Sequence, residues 1–276
     1  MVDLADLKAH YTRGGLAEKI FAALRAAGKD PEKLTLDDLA PIDEFHSRGR
    51  EATLELAGFA RLMPETRVLD LGCGLGGPAR RLAKIFACRV TGLDLTPEYV
   101  EVANLLAECC GLKSRIAFIQ GNALDTPFED ASFDVVWSQH AAMNIADKAK
   151  LYAEAARLLK PGGRLALYDI LAGEGGAPHF PLPWARDPAH SHLIAPEALR
   201  ETLSAAGFEV QHWRERSADG LAWFTAAEEH FAAKGLPPLG LHLLLGEEDF
   251  LAMIENLRRN FAEGRVRLFE AIAAKR

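Results

Sequence analysis

Short apolar runs rich in Val, Ile and Leu alternate with stretches of helical periodicity from Arg67 onward. In the helical stretches, apolar residues recur at i, i+3, i+4 and i+7, the spacing that places them on one helix face. The clearest set is Ala79, Leu82, Ala83 and Phe86. Alternating strands and helices predict an α/β fold with a mostly parallel sheet. The predicted strands are residues 67–72, 89–95, 115–121, 133–139, 163–170 and 208–215.

Three other segments lack this alternation. Residues 1–63 predict an N-terminal helical cap, because their apolar positions fall roughly on one face. Residues 172–196 hold many glycines and prolines, which predicts an irregular loop acting as a lid. Residues 217–263 predict a helical insertion, and the alternating stretch 265–273 predicts a final edge strand. The cap is therefore expected to precede a ligand-binding domain over residues 64–276.

Composition excludes several classes of protein. The formal net charge of −7 provides no basic field for phosphates, so nucleic acid is not expected as a partner. The four cysteines match neither a disulfide framework nor a zinc pattern, and we expect reduced thiols and no metal site. The sequence shows no leader and no apolar run of 18 residues, which predicts a cytoplasmic protein without a membrane span.

Residues 68–77, with the sequence VLDLGCGLGG, predict a buried strand that runs into a glycine-rich turn. Glycines let a backbone approach a ligand closely and expose amides at a helix N-terminus. Gly72, Gly74 and Gly77 also satisfy the dinucleotide fingerprint GxGxxG. Asp94 ends the next predicted strand, where a carboxylate would hold ribose hydroxyls. The loop alone therefore fits either a dinucleotide or another nucleoside cofactor.

Asp70 bears on this choice because it lies two residues before the first glycine. Its negative charge suits a cationic amino-acid group and a sulfonium better than a pyrophosphate. The alternative is that Asp70 caps the following helix or accepts from the loop amides.

Residues 65–170 resemble the class I S-adenosylmethionine-dependent methyltransferases. The resemblance rests on the glycine loop and on four further motifs, GLDLTPE at 92–98, GNA at 121–123, FDVVWSQH at 133–140 and LLKPGGRL at 158–165. It implies a Rossmann-like, doubly wound sheet of seven strands whose last strand is antiparallel. It also implies S-adenosylmethionine as cofactor and S-adenosylhomocysteine as product.

The resemblance assigns parts of the cofactor to parts of the chain. The glycine loop would carry the methionine part, Asp70 would face its ammonium group, and Asp94 would hold the ribose. Asn122 would border the adenine, at a position where the family commonly has Asp. The complete set implied is Asp70, Gly72, Gly74, Gly76, Asp94, Leu95, Asn122, Ala123 and Gln139.

Candidate catalytic residues follow the fourth strand or lie in the cap. His140 comes just after residues 133–139, at the end of the sheet that faces the ligand, and could act as general base. An equally good interpretation gives it hydrogen bonds without proton transfer. Tyr11 and His46 lie in the cap, where the family often places residues that close over the cofactor and acceptor. The predicted acceptor contacts are Met143, Asp169, His179 and Trp184.

Residues 43–52 and 139–145 resemble a small-molecule branch of this family. The branch includes sarcosine and dimethylglycine N-methyltransferases, phosphoethanolamine N-methyltransferases, and tocopherol and sterol C-methyltransferases. The first hypothesis is N-methylation of a small amine, with Arg186 or Arg48 as anion partner. The second is C- or O-methylation of an apolar acceptor such as a quinone, tocopherol, sterol or natural product, which would use the hydrophobic stretch 236–245 and His140 as a base. Two further hypotheses are an NAD(P)-dependent oxidoreductase and a non-catalytic binding module. We expect a monomer or a homodimer.

Overall fold

The computed structural model describes residues 15–276 and contains a seven-stranded sheet with helices on both sides. The strands are β1 (Arg67–Leu71), β2 (Arg89–Asp94), β3 (Ile116–Gln120), β4 (Phe133–Gln139), β5 (Leu159–Ala172), β6 (Phe208–Glu215) and β7 (Val266–Lys275). The α-helices are α1 (Leu16–Ala26), α2 (Leu36–Asp43), α3 (Gly49–Ala60), α4 (Gly77–Phe86), α5 (Pro97–Cys109), α6 (Lys148–Leu158), α7 (Pro196–Ala205), α8 (Ser217–Lys234), α9 (His242–Leu245) and α10 (Glu247–Ala262).

The strand order is β3-β2-β1-β4-β5-β7-β6. All neighbours are parallel except β7, which runs antiparallel to both β5 and β6. This order confirms the predicted Rossmann-like sheet with a last antiparallel strand. It also places the carboxyl ends of β1 and β4 side by side, where the order of the strands reverses and ligands bind in such sheets.

The prediction of an edge strand at 265–273 is wrong. β7 lies inside the sheet, paired with β5 over residues 266–274 and with β6 over residues 269–275, and β6 forms the edge instead. The reason is that most of the side chains of β7, on both faces of the strand, are buried, as in an interior strand. The sequence pattern did not reveal this interior position, because small residues such as Ala271 and Ala273 are compatible with a buried or an exposed face, and both are buried here.

Two buried ion pairs join the cap to the sheet domain. The Arg80 guanidinium on α4 donates to the Asp43 carboxylate, and the Arg81 Nε donates to Glu44 Oε1 at 2.8 Å. All four side chains are at most 6% exposed. Because each buried charge has its partner across the contact, removing one member would leave the other uncompensated. The cap is therefore fixed over the edge of α4.

The segment 172–196 and the helices α8–α10 cover the carboxyl end of the sheet. The segment is irregular apart from a short 3-10 helix, Pro188–His190. Its backbone is held by α10: Asn260 exchanges two hydrogen bonds with the His179 backbone at 2.8 and 3.0 Å, and Asn256 donates to Pro181 O at 3.1 Å. Within residues 15–276, no helix combines the length and apolar character needed to cross a bilayer.

Candidate active site

A cavity of about 630 Å³ lies at the carboxyl ends of β1, β2, β4 and β5. A cavity of this size can hold a small-molecule cofactor together with part of an acceptor. One half is formed by the loops after β1, β2 and β3, and the other by the cap, the loop after β4, the segment 172–196 and the helices α8–α10. The predicted site residues that line it are His46, Gly72, Gly74, Asp94, Leu95, Asn122, Ala123, His140, Met143 and Trp184.

The glycine loop brings backbone to the cavity surface. Gly72 and Gly74 have φ angles of +73° and +53°, which residues with a side chain adopt only with strain. A Cβ built on Gly74 would meet no heavy atom within 4 Å, so this glycine borders open space. The loop is held by Leu93 O, which accepts from the backbone N–H of Gly72 at 2.8 Å. The loop thus forms a cradle that fits a cofactor.

Gly76 lies outside the cavity, although it was assigned to the cofactor. A Cβ on Gly76 would lie 2.2 Å from the Phe118 ring, at a φ of +82°. This glycine therefore allows the loop to pack against β3 where helix α4 begins. The glycine requirement there comes from packing and not from ligand contact.

Asp94 links the glycine loop to the loop after β2. Its Oδ2 accepts from the Gly74 N–H at 2.9 Å, and its Oδ1 accepts from the Thr96 N–H at 2.9 Å. Burial raises the pKa of Asp94, while these backbone hydrogen bonds oppose the shift. The carboxylate lies on the cavity wall in a fixed orientation, as holding ribose hydroxyls requires.

Asn122 and Ala123 line the cavity beside Asp94, in the short turn after β3. The Asn122 Oδ1 accepts from the Leu124 N–H at 3.0 Å, so this oxygen already stabilises the turn. The side chain therefore shapes the wall where the resemblance places the adenine.

Asp70 is 2% exposed and does not line the cavity. Its Oδ2 has no hydrogen-bond partner among residues 15–276. Burial, together with the negative charges of Asp94 and Glu44, raises the pKa of Asp70 to about 8. The pKa of a buried carboxyl without a basic partner responds strongly to a nearby positive charge, so a cationic group of a ligand would lower the pKa of Asp70.

The parity of β4 places Gln139 away from the cavity, although it was assigned to the cofactor. Gln139 shares a face with Trp137, and its Oε1 accepts from Trp137 Nε1 at 2.8 Å and from Thr53 Oγ1 at 3.2 Å. Because successive side chains of a strand point to opposite faces, Ser138 lies on the other face and lines the cavity. Sequence reasoning missed Ser138.

His140 is placed at the cavity by a left-handed turn at the end of β4, with φ of +49°. Its ring stacks on Tyr168 with centroids 5.5 Å apart and planes 6° from parallel. Its Nε2 lies 3.2 Å from Ser47 Oγ, another lining residue that the sequence analysis did not single out. Burial, with the nearby His46, lowers the pKa of His140 well below its usual range. The imidazole is therefore neutral at physiological pH, and its burial makes it a weaker base than a solvated histidine.

His46 reaches the same region from the cap. Its Nε2 lies 2.9 Å from Thr53 Oγ1 and 3.3 Å from Glu44 Oε2. Burial lowers the pKa of His46 to about 3, so this ring is also neutral at physiological pH. Its centroid is 6.1 Å from that of His140. Tyr11, the third predicted catalytic residue, lies outside the described residues.

In the second half of the cavity, the wall formed by the segment 172–196 and the helices α8–α10 is apolar. Met143 and Trp184 line this half as predicted, and the Trp184 Nε1 donates to Ser191 Oγ at 2.9 Å. Two residues of the hydrophobic stretch 236–245, which was expected to serve an apolar acceptor, line this wall, namely Leu241 and Leu245. Trp223 and Phe224 also line it, although large aromatic side chains of this kind are usually expected in a core. The helical insertion contributes Trp223, Phe224, Leu241, Leu245, Phe250, Ile254 and Leu257. The helical spacing of these apolar side chains predicts that they are buried, but it does not distinguish packing in the core from lining a cavity.

Two predicted acceptor contacts lie elsewhere. Ile170 lines the cavity, and Asp169 lies on the opposite face of β5. Burial raises the pKa of Asp169, and the ammonium group of Lys148 opposes this shift. His179, in the segment 172–196, packs beside the C-terminus of α10, where its Nε2 lies 2.8 Å from Glu263 Oε2. Strand parity and the path of the segment 172–196 separate these residues from the site.

The two candidate anion partners are also engaged away from the cavity. Arg48 donates twice to the Glu55 carboxylate, at 2.9 Å each, and Arg186 pairs with Asp249. Among the described lining residues, Lys150 is the one Lys or Arg. A small acceptor with a carboxylate or phosphate would therefore meet few cationic groups here.

Comparison with known proteins identifies the class. Residues 69–167 match the family model described as a methyltransferase domain. A solved Haemonchus contortus phosphoethanolamine N-methyltransferase 2, in complex with phosphomonomethylethanolamine and S-adenosylhomocysteine, is 20% identical and superimposes with a TM-score of 0.75, covering 100% of this chain and 61% of that one. The fold is thus that of the class I S-adenosylmethionine-dependent methyltransferases, and residues 69–167 are similar to a methyltransferase domain.

Curated relatives carry out different methylations. A 27-O-demethylrifamycin SV methyltransferase of Amycolatopsis mediterranei is 40% identical over 49% of this chain and 48% of its own length. A sterol 24-C-methyltransferase of Gibberella zeae is 33% identical over 59% and 45%. A sarcosine/dimethylglycine N-methyltransferase of Halorhodospira halochloris is 31% identical over 63% and 61%. The chain spans about half the length of these relatives, and their names cover oxygen, carbon and nitrogen acceptors.

Proposed function

We propose that this protein is an S-adenosylmethionine-dependent methyltransferase that methylates an oxygen or carbon atom of a small molecule with an apolar body. One observation carries the proposal: a single cavity joins the glycine loop and Asp94 to the apolar wall formed by Trp184 and α8–α10. Cofactor and acceptor would then meet near His140, between the two halves.

The fit to the cofactor rests on three features. The cradle at Gly74 opens onto the cavity, the Asp94 carboxylate has a fixed orientation on its wall, and Asn122 borders the turn beyond it. When bound, S-adenosylmethionine supplies a methyl group attached to a sulfonium, which is a good leaving group. The protein then needs chiefly to align the acceptor and exclude water.

His140 would act as the general base. An acceptor hydroxyl or an acidic carbon must lose its proton as the new bond to the methyl carbon forms, and the neutral imidazole can take that proton. The contact with Ser47 and the stacking on Tyr168 hold the ring in one orientation. His46 does not add to this basicity, because its nearby ring contributes to the lowered pKa of His140.

The apolar wall favours this acceptor class over a small amine. Amines that carry a carboxylate or phosphate need a cationic partner, and both candidate arginines are engaged outside the cavity. Desolvating a charged acceptor without such a partner is unfavourable. An apolar acceptor instead gains free energy from burial against Trp184, Phe250 and Leu257.

Product analysis with labelled S-adenosylmethionine tests the proposal. One panel contains phenols, isoprenoid alcohols and hydroxylated macrocycles, and the other contains sarcosine, dimethylglycine and phosphoethanolamine. We expect transfer only in the first panel. Transfer confined to the amines would overturn the acceptor class, and stabilisation by NAD(P)H without stabilisation by S-adenosylhomocysteine would overturn the activity itself.

Substitution of His140 tests the general base. His140→Asn tolerates the positive φ of this position but removes the base, and we expect kcat to fall by about 10²–10⁴-fold. The affinity for S-adenosylhomocysteine should stay unchanged. His190→Asn is the matched control, because His190 pairs with Asp187 outside the cavity. An unchanged kcat in His140→Asn would exclude the proton transfer.

A further inference from the structure

The loop after β4, residues 140–147, is tied to the segment 182–192 by buried side chains. The Asn144 Nδ2 donates to Trp184 O at 2.6 Å and to His190 O at 3.1 Å. In the reverse direction, the His192 N–H donates to Met143 O at 2.8 Å. Met143 and Trp184 both line the acceptor half of the cavity, so these bonds join its two walls.

Lys148, at the start of α6, completes this connection. Its ammonium group donates to Ala142 O at 2.7 Å, to His192 O at 2.7 Å, and to Ile145 O. The three N–H groups of a lysine are thereby all satisfied by carbonyls, two in the loop after β4 and one in the segment 182–192. The residue is 7% exposed.

Packing alone does not account for an ammonium group in this position. Burying a charge is costly unless it is well satisfied, and an apolar side chain of similar length would fill the same space at lower cost. What a lysine provides, and a methionine does not, is three donors directed at two separate stretches of backbone. Burial lowers the pKa of Lys148 to about 8, and the negative charge of Asp169, on the adjoining face of β5, opposes this shift.

We propose that Lys148, assisted by Asn144, is a positioning residue that holds the Trp184 wall at a fixed distance from Met143 and so sets the width of the acceptor site. The assignment to an acceptor rests on the proposed function. The proposal also changes the expected behaviour of the segment 172–196. Its stretch 182–192 is a fixed wall, because moving it as a lid would break the bonds from Asn144, Lys148 and His192 together.

Lys148→Met tests the proposal, with Lys160→Met as matched control, since Lys160 pairs with Asp134 at the opposite end of β4. Hydrogen exchange measures the wall directly and needs no acceptor. We expect amide exchange in residues 182–192 to accelerate by about tenfold or more in Lys148→Met and not in the control. The KM for the acceptor should rise by about tenfold, while the dissociation constant of S-adenosylhomocysteine stays within about twofold.

Two further variants keep the test decisive. Lys148→Arg retains charged donors and should recover much of the exchange protection. Asn144→Ala removes the two bonds to Trp184 and His190 without deleting a charge, and decides the question if Lys148→Met does not fold. Unchanged exchange in residues 182–192, or an equal loss of cofactor and acceptor affinity, would overturn the proposal. If no acceptor is methylated, the exchange result still stands and only the proposed function fails.

Discussion

The Asp94 carboxylate accepts a hydrogen bond from the backbone N–H of Gly74 at 2.9 Å, and so joins the loop after β2 to the loop after β1. Its other oxygen is held by the Thr96 N–H. The carboxylate therefore holds the glycine loop against the loop after β2 and at the same time lines the cavity.

Replacing Asp94 should separate cofactor binding from folding. Asp94→Ala removes a charge-assisted hydrogen bond to the loop and the proposed ribose contact, and we expect the affinity for S-adenosylhomocysteine to fall by about 10–100-fold. Isothermal titration calorimetry measures this loss. Asp37→Ala, which removes an exposed partner of Arg50, should leave affinity unchanged. An affinity within twofold of the parent protein would rule out the ribose contact.

Two glycines of one loop should respond differently to the same substitution. Gly74→Ala adds a methyl group that meets no protein atom, so we expect a cost of about 1 kcal/mol from the positive φ and a much larger loss of cofactor affinity. Gly76→Ala places the methyl group in the Phe118 ring and should destabilise folding by about 2 kcal/mol or more. Urea unfolding and calorimetry measure both effects. Equal effects of the two variants would contradict the separation of roles.

The acceptor wall should accept or reject substrates by size. Leu257→Trp enlarges a side chain on the cavity face of α10, and we expect the acceptor KM to rise at least about tenfold while cofactor affinity is retained. Leu251→Trp makes the same change on the exposed face of the helix, where Leu251 is 50% exposed, and should have no effect. Steady-state kinetics with each substrate varied in turn gives the comparison. Loss of cofactor affinity in Leu257→Trp would place this wall in the other half of the site.

Asp70 should make unliganded stability depend on pH. Because its folded pKa is raised to about 8, the folded protein keeps a proton that the unfolded chain loses above about pH 4. The folded state therefore loses relative stability as pH rises from about 4 to 8. Asp70→Asn lacks this titration, so its advantage over the parent protein should grow by about 1 kcal/mol per pH unit in that window.

Denaturant unfolding at pH 4.5, 6 and 7.5 measures this difference, and calorimetry with S-adenosylhomocysteine measures its functional side. If Asp70 balances the ammonium group of the cofactor, Asp70→Asn should be more stable yet bind more weakly. A difference in stability that does not vary with pH would contradict the raised pKa. Unchanged cofactor affinity would remove Asp70 from the site.

The amino-acid sequence alone determined the order of strands and helices and the half of the cavity that would hold the cofactor. Periodicity and turn chemistry act between near neighbours, so the strand at 67–71, the glycine turn and Asp94 at the end of the next strand were all visible locally. Even there, the sequence did not distinguish Gly74, which borders the cavity, from Gly76, which packs under Phe118. That difference depends on a ring from a strand 42 residues further along the chain.

Only the tertiary structure decided which residues meet at the acceptor site. Strand parity turned Gln139 and Asp169 away from the cavity, although Gln139 ends β4 and Asp169 lies near the end of β5, at the edge of the sheet that faces the cavity. The apolar stripe of α10 became a wall of the cavity, and Lys148 became the link between two of its sides. These outcomes depend on contacts between segments distant in sequence, because burial and hydrogen bonding of a side chain are set by whichever surface the completed fold brings against it.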